Sequence, residues 1–298
     1  MSETPDGPTR SRAAADEPGQ RRDRERPPPP EPLPHPVVDN HCHLDIADGD
    51  WFETGEAIAR AAEVGVSRIV QIGCDLPGAA WAVQAASEHD ALVAGVALHP
   101  NEAPRLAAEG RLEEALAEIE QLAQAHPKVR AVGETGLDFF RTGPEGRDAQ
   151  VESFVRHVDL AKRLDRTLVI HDRDAHDAVL DVLDAEGAPP RWVMHCFSGN
   201  PRFARACLDR GAYLSFAGTV TFKNAQPLRD ALMVTPQDRI LVETDAPFLT
   251  PTPYRGRPNA SYLVPITVRA MAEVRGDDLE VLCRAIDATT EEAFGGPW

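Results

Sequence analysis

The chain has 298 residues, a formal net charge of -17 and a hydrophobic fraction of 42%. This length fits two domains or one large α/β barrel, because such barrels run to about 250 residues as a single unit. No apolar run approaches the roughly 18 residues of a membrane-spanning helix, so we expect no membrane association. The acidic charge excludes a polybasic protein that coats duplex DNA.

The first 36 residues are rich in Pro, Arg, Asp and Glu and nearly free of large apolar side chains. Such a segment cannot bury enough surface to offset the entropy of ordering, so we predict a disordered tail over 1–36 and one domain over 37–298. The tail has no apolar stretch typical of a signal peptide, and the five cysteines form no CxxC pair. We therefore expect a reduced, cytoplasmic protein.

From Val37 onward, short apolar runs alternate with longer segments of helical period. The apolar runs predict eight strands, at 37–40, 68–74, 92–98, 129–133, 167–170, 192–194, 213–216 and 240–242. The segments between them predict helices such as 54–64, 112–125, 148–164, 175–186 and 201–210. Residues 262–293 predict two further helices outside the strands.

Strands that alternate with helices are parallel and joined by right-handed crossovers. Eight such units fill a closed (β/α)₈ barrel, and no GxGxxG motif follows the first strand. We therefore predict an α/β protein with a (β/α)₈ TIM barrel and additional C-terminal outer helices. An open, doubly wound sheet is the alternative.

Histidines and carboxylates stand at the ends of six of the predicted strands. Catalytic groups of such barrels lie where strands end, and the candidates here are His41, His43, His99, Glu134, His171, His195 and Asp245. His41 and His43 are two residues apart, so both imidazoles face one side of an extended strand and Cys42 faces the other. By the same alternation we expect Cys196 to point away from the site.

These side chains predict a metal centre. Imidazole and carboxylate ligands suit Zn²⁺, Mn²⁺ or Fe²⁺, and also Mg²⁺ where carboxylates and water dominate, so the metal identity stays open. None of the three lysines stands beside Glu134 at the end of the fourth strand, which excludes a carbamylated lysine as the bridging group. The strand order instead predicts two divalent ions bridged by Glu134, one also held by His41, His43 and Asp245 and the other by His171 and His195.

Six ordered motifs around these residues resemble the successive signatures of the TatD family of metal-dependent deoxyribonucleases. They are His41-Cys42-His43-Leu44, Leu98-His99-Pro100, Gly133-Glu134-Thr135-Gly136-Leu137-Asp138-Phe139, Ile170-His171-Asp172-Arg173, His195-Cys196-Phe197-Ser198-Gly199 and Glu243-Thr244-Asp245-Ala246-Pro247-Phe248. The resemblance covers about residues 37–294. It implies a TIM-barrel metallohydrolase with a divalent metal centre at the six predicted ligands. It also implies hydrolysis of nucleic-acid phosphodiesters, in some members as a 3′ to 5′ exonuclease.

The chain departs from the family in the loop that contains Arg255. An Arg-Gly stretch followed by Asn-Glu-Pro is typical there, whereas this chain continues Arg257-Pro258-Asn259-Ala260-Ser261. The acidic residue is absent. A role of this loop in substrate positioning therefore does not carry over directly from the family. The predicted metal ligands are unaffected, because the loop supplies none of them.

Phosphodiester hydrolysis requires an activated water and neutralisation of the phosphoryl charge, and a two-metal centre supplies both. We expect two catalytic residues, Asp245 as the general base and Glu134 as the bridging carboxylate. Arg173 and Arg255 are expected to bind phosphate oxygens, and His99 to contact substrate or the ligands rather than a metal.

The expected substrate is DNA, as single strands or 3′ ends, and no obligate protein partner is indicated. Part of the acidic charge belongs to the predicted metal ligands, so the net charge does not exclude a nuclease. Two alternatives stay open. The same centre could attack a carbonyl, as in an amidase, a lactonase or a deacylase of D-aminoacyl-tRNA, or the chain could be a non-catalytic metal-binding protein.

Overall fold

The computed structural model describes residues 7–12 and 23–298 of the chain. Its strands are β1 (Arg10–Ser11), β2 (Val37–Cys42), β3 (Ile46–Ala47), β4 (Val66–Gly73), β5 (Leu92–Val96), β6 (Val129–Asp138), β7 (Thr167–Arg173), β8 (Trp192–Met194), β9 (Tyr213–Phe216) and β10 (Ile240–Val242). Eight of them form one parallel sheet in the order β10-β9-β8-β7-β6-β5-β4-β2. The short strands β1 and β3 pair separately.

Hydrogen bonds between the ends of β2 and β10 close the sheet into a barrel. The amide of Asp245 donates to the carbonyl of His41 at 2.9 Å, and the amide of His43 donates to the carbonyl of Ala246 at 2.8 Å. The predicted TIM barrel is therefore confirmed, and the alternative of an open, doubly wound sheet is wrong. All eight predicted strands are present, and β8, β9 and β10 have the predicted bounds.

Helices follow the strands on the outside of the barrel. They are α1 (Thr54–Glu63), α2 (Leu76–Glu88), α3 (Glu102–Ala108), α4 (Leu112–Gln124), α5 (Pro144–Leu164), α6 (His176–Glu186), α7 (Pro201–Leu208), α8 (Gln226–Val234), α9 (Val264–Arg275) and α10 (Leu279–Ala293). The last two are the predicted C-terminal helices, whereas α2, α3 and α8 were not among the predicted ones. Across the described part of the chain, no helix combines the length and apolarity needed to cross a membrane.

The core has two layers, because each parallel strand is buried on both faces. One layer fills the space between strands and helices, and the other fills the barrel itself with aliphatic side chains such as Val70, Val169 and Leu241. Phe294, just after α10, joins the inner layer. Thr167, the first residue of β7, donates its hydroxyl to the carbonyl of Ala293 at 2.5 Å. The C-terminal segment thus plugs the amino-terminal end of the barrel, opposite the end where ligands are predicted.

Two parts of the predicted tail, residues 7–12 and 23–36, lie against the barrel. Strand β1 pairs in parallel with β3, and Leu33 is buried, with its amide donating to the carbonyl of Val64 at 3.0 Å. This differs from the disorder that the composition predicts, because backbone pairing and arginine contacts order a segment with few apolar side chains. Residues 1–6 and 13–22 of the predicted tail lie outside the described residues, and the domain boundary at 37 stays a prediction.

Candidate metal centre

The barrel brings all six predicted ligands to its carboxyl-terminal end. The closing hydrogen bonds between the ends of β2 and β10 place His41 and His43 beside Asp245. Strand β6 carries Glu134, and the register of β6 with β7 pairs Gly136 with His171. His195 follows β8 directly, and its amide donates to the carbonyl of Ile170 on β7 at 3.0 Å.

Glu134 lies at the middle of this group, and its two oxygens face different histidines. Its Oε2 is 3.5 Å from Nε2 of His41 and 3.9 Å from Nε2 of His43. Its Oε1 is 2.6 Å from Nδ1 of His171 and 3.3 Å from Nε2 of His195. The side chain is buried. Each oxygen of this carboxylate therefore faces one pair of histidines, and the rings of His41 and His195 stack with their centres 3.6 Å apart.

Asp245 completes the side that contains the two β2 histidines. Its Oδ1 is 3.3 Å from Nε2 of His43 and 3.9 Å from Nε2 of His41. Its backbone has φ of 54°, which turns the chain sharply just after β10. The Asp245 side chain keeps 15% of its surface exposed, whereas that of His41 keeps none, so Asp245 faces the open mouth of the barrel.

His99 also lies within the cluster. Its Nε2 is 3.6 Å from Oε1 of Glu134, and its Nδ1 accepts a hydrogen bond from the amide of Asn101 at 3.1 Å. The distance from His99 to Glu134 lies within the range of 2.6–3.9 Å that the predicted histidine ligands show. His99, Glu134 and His171 also form one of the groups whose ligand atoms lie within 4.8 Å of one another. The prediction that His99 contacts substrate rather than metal stays a prediction.

The donor set fits a divalent cation. Both ring nitrogens of His41 are buried and make no hydrogen bond within the described part of the chain. A buried polar atom without a partner costs about 1–3 kcal/mol, and a cation bound to Nε2 would provide one. Two overlapping groups bring His41 together with His43 and Glu134, or with His195 and Asp245, each with ligand atoms within 4.8 Å of one another. The residues present therefore fit a metal site.

The pKa shifts agree with this chemistry. Burial and the neighbouring His195 lower the pKa of His41 to about 3, which keeps this imidazole in the neutral form that binds metals. Burial would raise the pKa of Glu134, but the surrounding histidines outweigh it and hold this pKa well below its usual value. Burial lowers the pKa of His171, yet the neighbouring carboxylates of Asp138 and Glu134 raise it to about 9. A cation at His171 would replace that proton.

Three further residues contact the predicted ligands and were not assigned a role from the sequence. Asp138, at the end of β6, has its Oδ2 3.4 Å from Nε2 of His171. Glu243 has its Oε1 2.9 Å from Nδ1 of His195. The thiol of Cys74 donates to Oε2 of Glu134 at 3.3 Å. Strand alternation places Asp138 on the same side as Glu134 only when the strand continues past residue 133, as β6 does.

The predicted substrate-binding arginines lie at the rim of the barrel mouth. Arg173 is the last residue of β7, and its guanidinium lies 3.9 Å from the ring centre of Phe140. Arg255 follows β10, and its guanidinium lies 4.4 Å from the ring centre of Phe222. Both are exposed, and neither forms an ion pair with a described residue. Their charges are therefore available to an anionic ligand.

The loop that departs from the family pattern has a structural role. The side chain of Asn259 is buried, and its amide donates to the carbonyl of Thr244 at 2.9 Å and to that of Phe248 at 2.6 Å. These two carbonyls flank Asp245 along the chain. Asn259 therefore fixes the turn that presents Asp245, and this contact does not need the missing acidic residue.

The two cysteines next to the histidines behave differently. Cys42 is buried in the core between strands and helices, as the alternation along β2 predicts. For Cys196 that expectation is wrong, because it lies beyond the end of β8 with φ of 43°. Its sulfur is grouped with His195 and Glu243, with ligand atoms within 4.8 Å. Strand alternation does not apply past the strand end.

Comparison with known proteins identifies the family of this centre. The sequence profile of TatD-related DNases matches residues 38–295. A protein from Mycobacterium tuberculosis named uncharacterized metal-dependent hydrolase TatD is 43% identical over 267 residues, which cover 88% of this chain and 99% of its own. The 3′-5′ ssDNA/RNA exonuclease TatD of Shigella flexneri is 31% identical and covers 80% and 92% of the two chains.

The structural comparison agrees. The crystal structure of a TatD homologue from Escherichia coli K12 matches with a TM-score of 0.79 and 27% identity, over 88% of this chain and 98% of that one. The phosphotriesterase homology protein of Escherichia coli shares the fold, with a TM-score of 0.65 at 15% identity. The chain therefore belongs to the family of TatD-related DNases and is a metal-dependent hydrolase with a TIM-barrel fold.

Proposed function

We propose that this hydrolase is a deoxyribonuclease that removes nucleotides from the 3′ end of single-stranded DNA and holds two divalent cations. The observation that carries the proposal is the position of Glu134. Its Oε2 faces His41 and His43, and its Oε1 faces His171 and His195. A carboxylate between two histidine pairs has the geometry of a bridging ligand.

The chemistry of the donor set supports a phosphodiester substrate. When bound, a pair of divalent cations supplies an activated water at neutral pH and neutralises the charge that develops on the phosphoryl group. The relative from Shigella flexneri is named for exonuclease activity on single-stranded DNA and RNA. Imidazole and carboxylate donors are compatible with Mg²⁺, Mn²⁺ or Zn²⁺, so the experiment includes all three.

In this proposal Asp245 accepts the proton of the attacking water. Its Oδ1 lies beside both β2 histidines, and its side chain is the most exposed of the carboxylates in the cluster, at 15% against 5% for Glu134. A general base has to reach the water from the side on which substrate enters. Arg173 and Arg255, exposed at the mouth and without ion pairs to described residues, bind the nonbridging phosphate oxygens.

The experiment is a metal-by-substrate matrix. Protein freed of metal by dialysis receives Mg²⁺, Mn²⁺ or Zn²⁺ and is assayed on 5′-labelled single-stranded DNA, on RNA and on aminoacyl-tRNA. We expect a ladder of DNA products that shorten from the 3′ end, and about two ions per chain by elemental analysis. Asp245→Asn should lower kcat by roughly 100-fold or more, because a general base contributes at least that much.

Asp181→Asn is the matched control, since Asp181 is exposed on α6, outside the barrel. It should cleave DNA at the wild-type rate. Intact DNA under all three metals would overturn the nuclease proposal. Release of the amino acid from aminoacyl-tRNA in the same matrix, without DNA cleavage, would identify a carbonyl hydrolase instead.

A further inference from the structure

Phe140 is unusually exposed for a large apolar side chain. It keeps 61% of its surface exposed, more than the other two exposed large apolar residues of the described chain, Met233 and Val281, at 53% each. The guanidinium of Arg173 lies over the ring, 3.9 Å from its centre. Since the exposed fraction remains high with Arg173 in contact, a second flat group can still stack on this pair.

The pair lies directly next to the candidate metal centre. Phe140 is two residues beyond Asp138, whose Oδ2 is 3.4 Å from Nε2 of His171. Arg173 is two residues beyond His171, so both side chains project from the same side of β7. At about 3.3 Å per residue, two residues along a strand span roughly 7 Å. The amide of Phe139 donates to the carbonyl of Arg173 at 2.9 Å, which holds the two loops together.

A groove begins at Phe140. It has a volume of about 540 Å³ and is lined by Asn101, Pro104, Phe140, Arg141 and Thr142. This volume lies within the range of about 300–1,000 Å³ that is typical of small-molecule sites. The walls are fixed, because Asn101 donates to Asp138 at 3.2 Å and accepts from the hydroxyl of Thr142 at 3.3 Å.

The charges around the groove favour an anion. Arg141 and Arg173 are both exposed, and neither forms an ion pair with a residue in the ranges that the structure describes. The backbone of Arg141 is anchored, since its amide donates to Oδ1 of Asp138 at 2.8 Å. An aromatic ring, a stacked guanidinium and a second free guanidinium together match the two parts of a nucleotide, a flat base and a phosphate.

We propose that Phe140, Arg173 and Arg141 form a subsite for one nucleotide adjacent to the bond that is cleaved. The base stacks on the exposed ring of Phe140, its phosphate pairs with Arg141, and Arg173, in contact with the ring, keeps its proposed place on the oxygens of the phosphate that is cleaved. Stacking accepts any base, because every base has a π face, so the subsite requires a base without selecting a sequence. This inference rests on the proposed function and names the part of the substrate that the mouth recognises.

The test compares strands that differ by one base. Single-stranded DNA of ten nucleotides is assayed intact and with one abasic residue at each of the last three positions, so that a missing base can be located. Wild-type enzyme should show a roughly 5- to 150-fold higher KM for the strand that lacks the stacked base, with kcat within twofold. Phe140→Ala should raise KM for the intact strand by a similar factor and lose its sensitivity to the abasic residue.

Two variants control for structural effects. Phe140→Trp retains a flat ring and should keep the preference for the base. Val281→Ala removes an equally exposed apolar side chain from α10, far from the mouth, and should behave as wild type. If Phe140→Ala still discriminates between intact and abasic strands as wild type does, the subsite is overturned.

The outcome remains separable from that of the proposed function. If wild-type protein cleaves none of these strands, the nuclease proposal fails, and the same strands are then compared by fluorescence anisotropy. Tighter binding of the intact strand that is lost in Phe140→Ala supports the nucleotide subsite on its own. Equal Kd values for intact and abasic strands on the wild-type protein overturn it.

Discussion

Glu243 orients a predicted metal ligand without facing the mouth. Its side chain is fully buried, and its Oε1 lies 2.9 Å from Nδ1 of His195 and accepts the amide of Cys196 at 3.1 Å. Its Oε2 accepts the hydroxyl of Ser215 at 2.5 Å. A carboxylate this close to Nδ1 favours the tautomer with its proton there and leaves Nε2 free for a metal. That nitrogen of His195 points to Glu134, at 3.3 Å.

Replacing Glu243 by Gln should therefore weaken metal binding while the ligands remain. The amide keeps the size of the side chain but loses the charge that holds His195, and such changes cost roughly 10- to 100-fold in metal affinity. Titration of dialysed protein with Mn²⁺ or Zn²⁺ in a calorimeter measures the change. Glu280→Gln, which alters an exposed carboxylate on α10, is the control. Equal affinity in wild type and Glu243→Gln would contradict the role given to Glu243.

Among the elements, β6 shows where the sequence is informative and where it is not. The apolar run predicts a strand that ends at 133, whereas β6 continues to Asp138. Gly133 ends the predicted run and Gly136 lies in the extension, and a linear pattern treats such glycines as the end of a strand. Those glycines instead permit a close approach to β7. A Cβ on Gly133 would lie 2.4 Å from Cβ of Val169, and one on Gly136 would lie 2.1 Å from the carbonyl oxygen of His171.

The same distinction applies to the candidate site. Strand ends and two-residue alternation suffice to find His41, His43 and Glu134, because their positions depend only on local pattern and barrel order. Asp138 depends on the unexpected length of β6, and Cys196 lies past the end of β8 with positive φ. Both positions are decided by tertiary packing, which a single sequence does not contain.

A substitution at Gly136 should separate β6 from β7. Gly136→Ala combines a φ of 135° with a clash against the carbonyl of His171, and we expect a loss of roughly 2–5 kcal/mol in the free energy of unfolding. Gly110→Ala is the matched control, because φ is 69° there and a Cβ would meet no atom within 4 Å. It should cost about 1–2 kcal/mol. Urea denaturation measures both, and equal losses would show that the close approach is not the cause.

For the whole molecule, the net charge is -17, but the arginines differ in whether an acidic side chain pairs with them. Arginines on the outer helices are paired with acids one helical turn away, as Arg60 is with Glu56 and Arg284 with Glu280. At the barrel mouth, by contrast, Arg173 and Arg255 form no ion pair with any described residue. Local positive charge at the mouth can attract a phosphodiester although the chain as a whole is acidic.

The N-terminal segment adds contacts along the barrel. The Thr9 hydroxyl donates to Oδ2 of Asp45 at 2.6 Å, and the guanidinium of Arg12 lies 3.4 Å from Oδ2 of the buried Asp48. Further along, the hydroxyl of Tyr262 donates to the carbonyl of Pro27 at 2.6 Å, and Leu33 is only 8% exposed. The family match begins at residue 38, so these contacts are an addition to the shared barrel.

Removing residues 2–36 should therefore leave a folded but less stable enzyme. Removing the buried Leu33 lowers the free energy of unfolding by about 1.5–3 kcal/mol, and each lost hydrogen bond lowers it by about 0.5–1.5 kcal/mol. The conformational entropy that the segment loses when it is ordered no longer has to be offset, which reduces the total loss. We expect a net loss of roughly 2–5 kcal/mol by urea denaturation. Removal of residues 2–22 alone keeps Pro27 and Leu33 in place and should cost less. If the longer truncation unfolds at the same urea concentration as the full chain, the segment contributes nothing to stability, as its composition alone predicts.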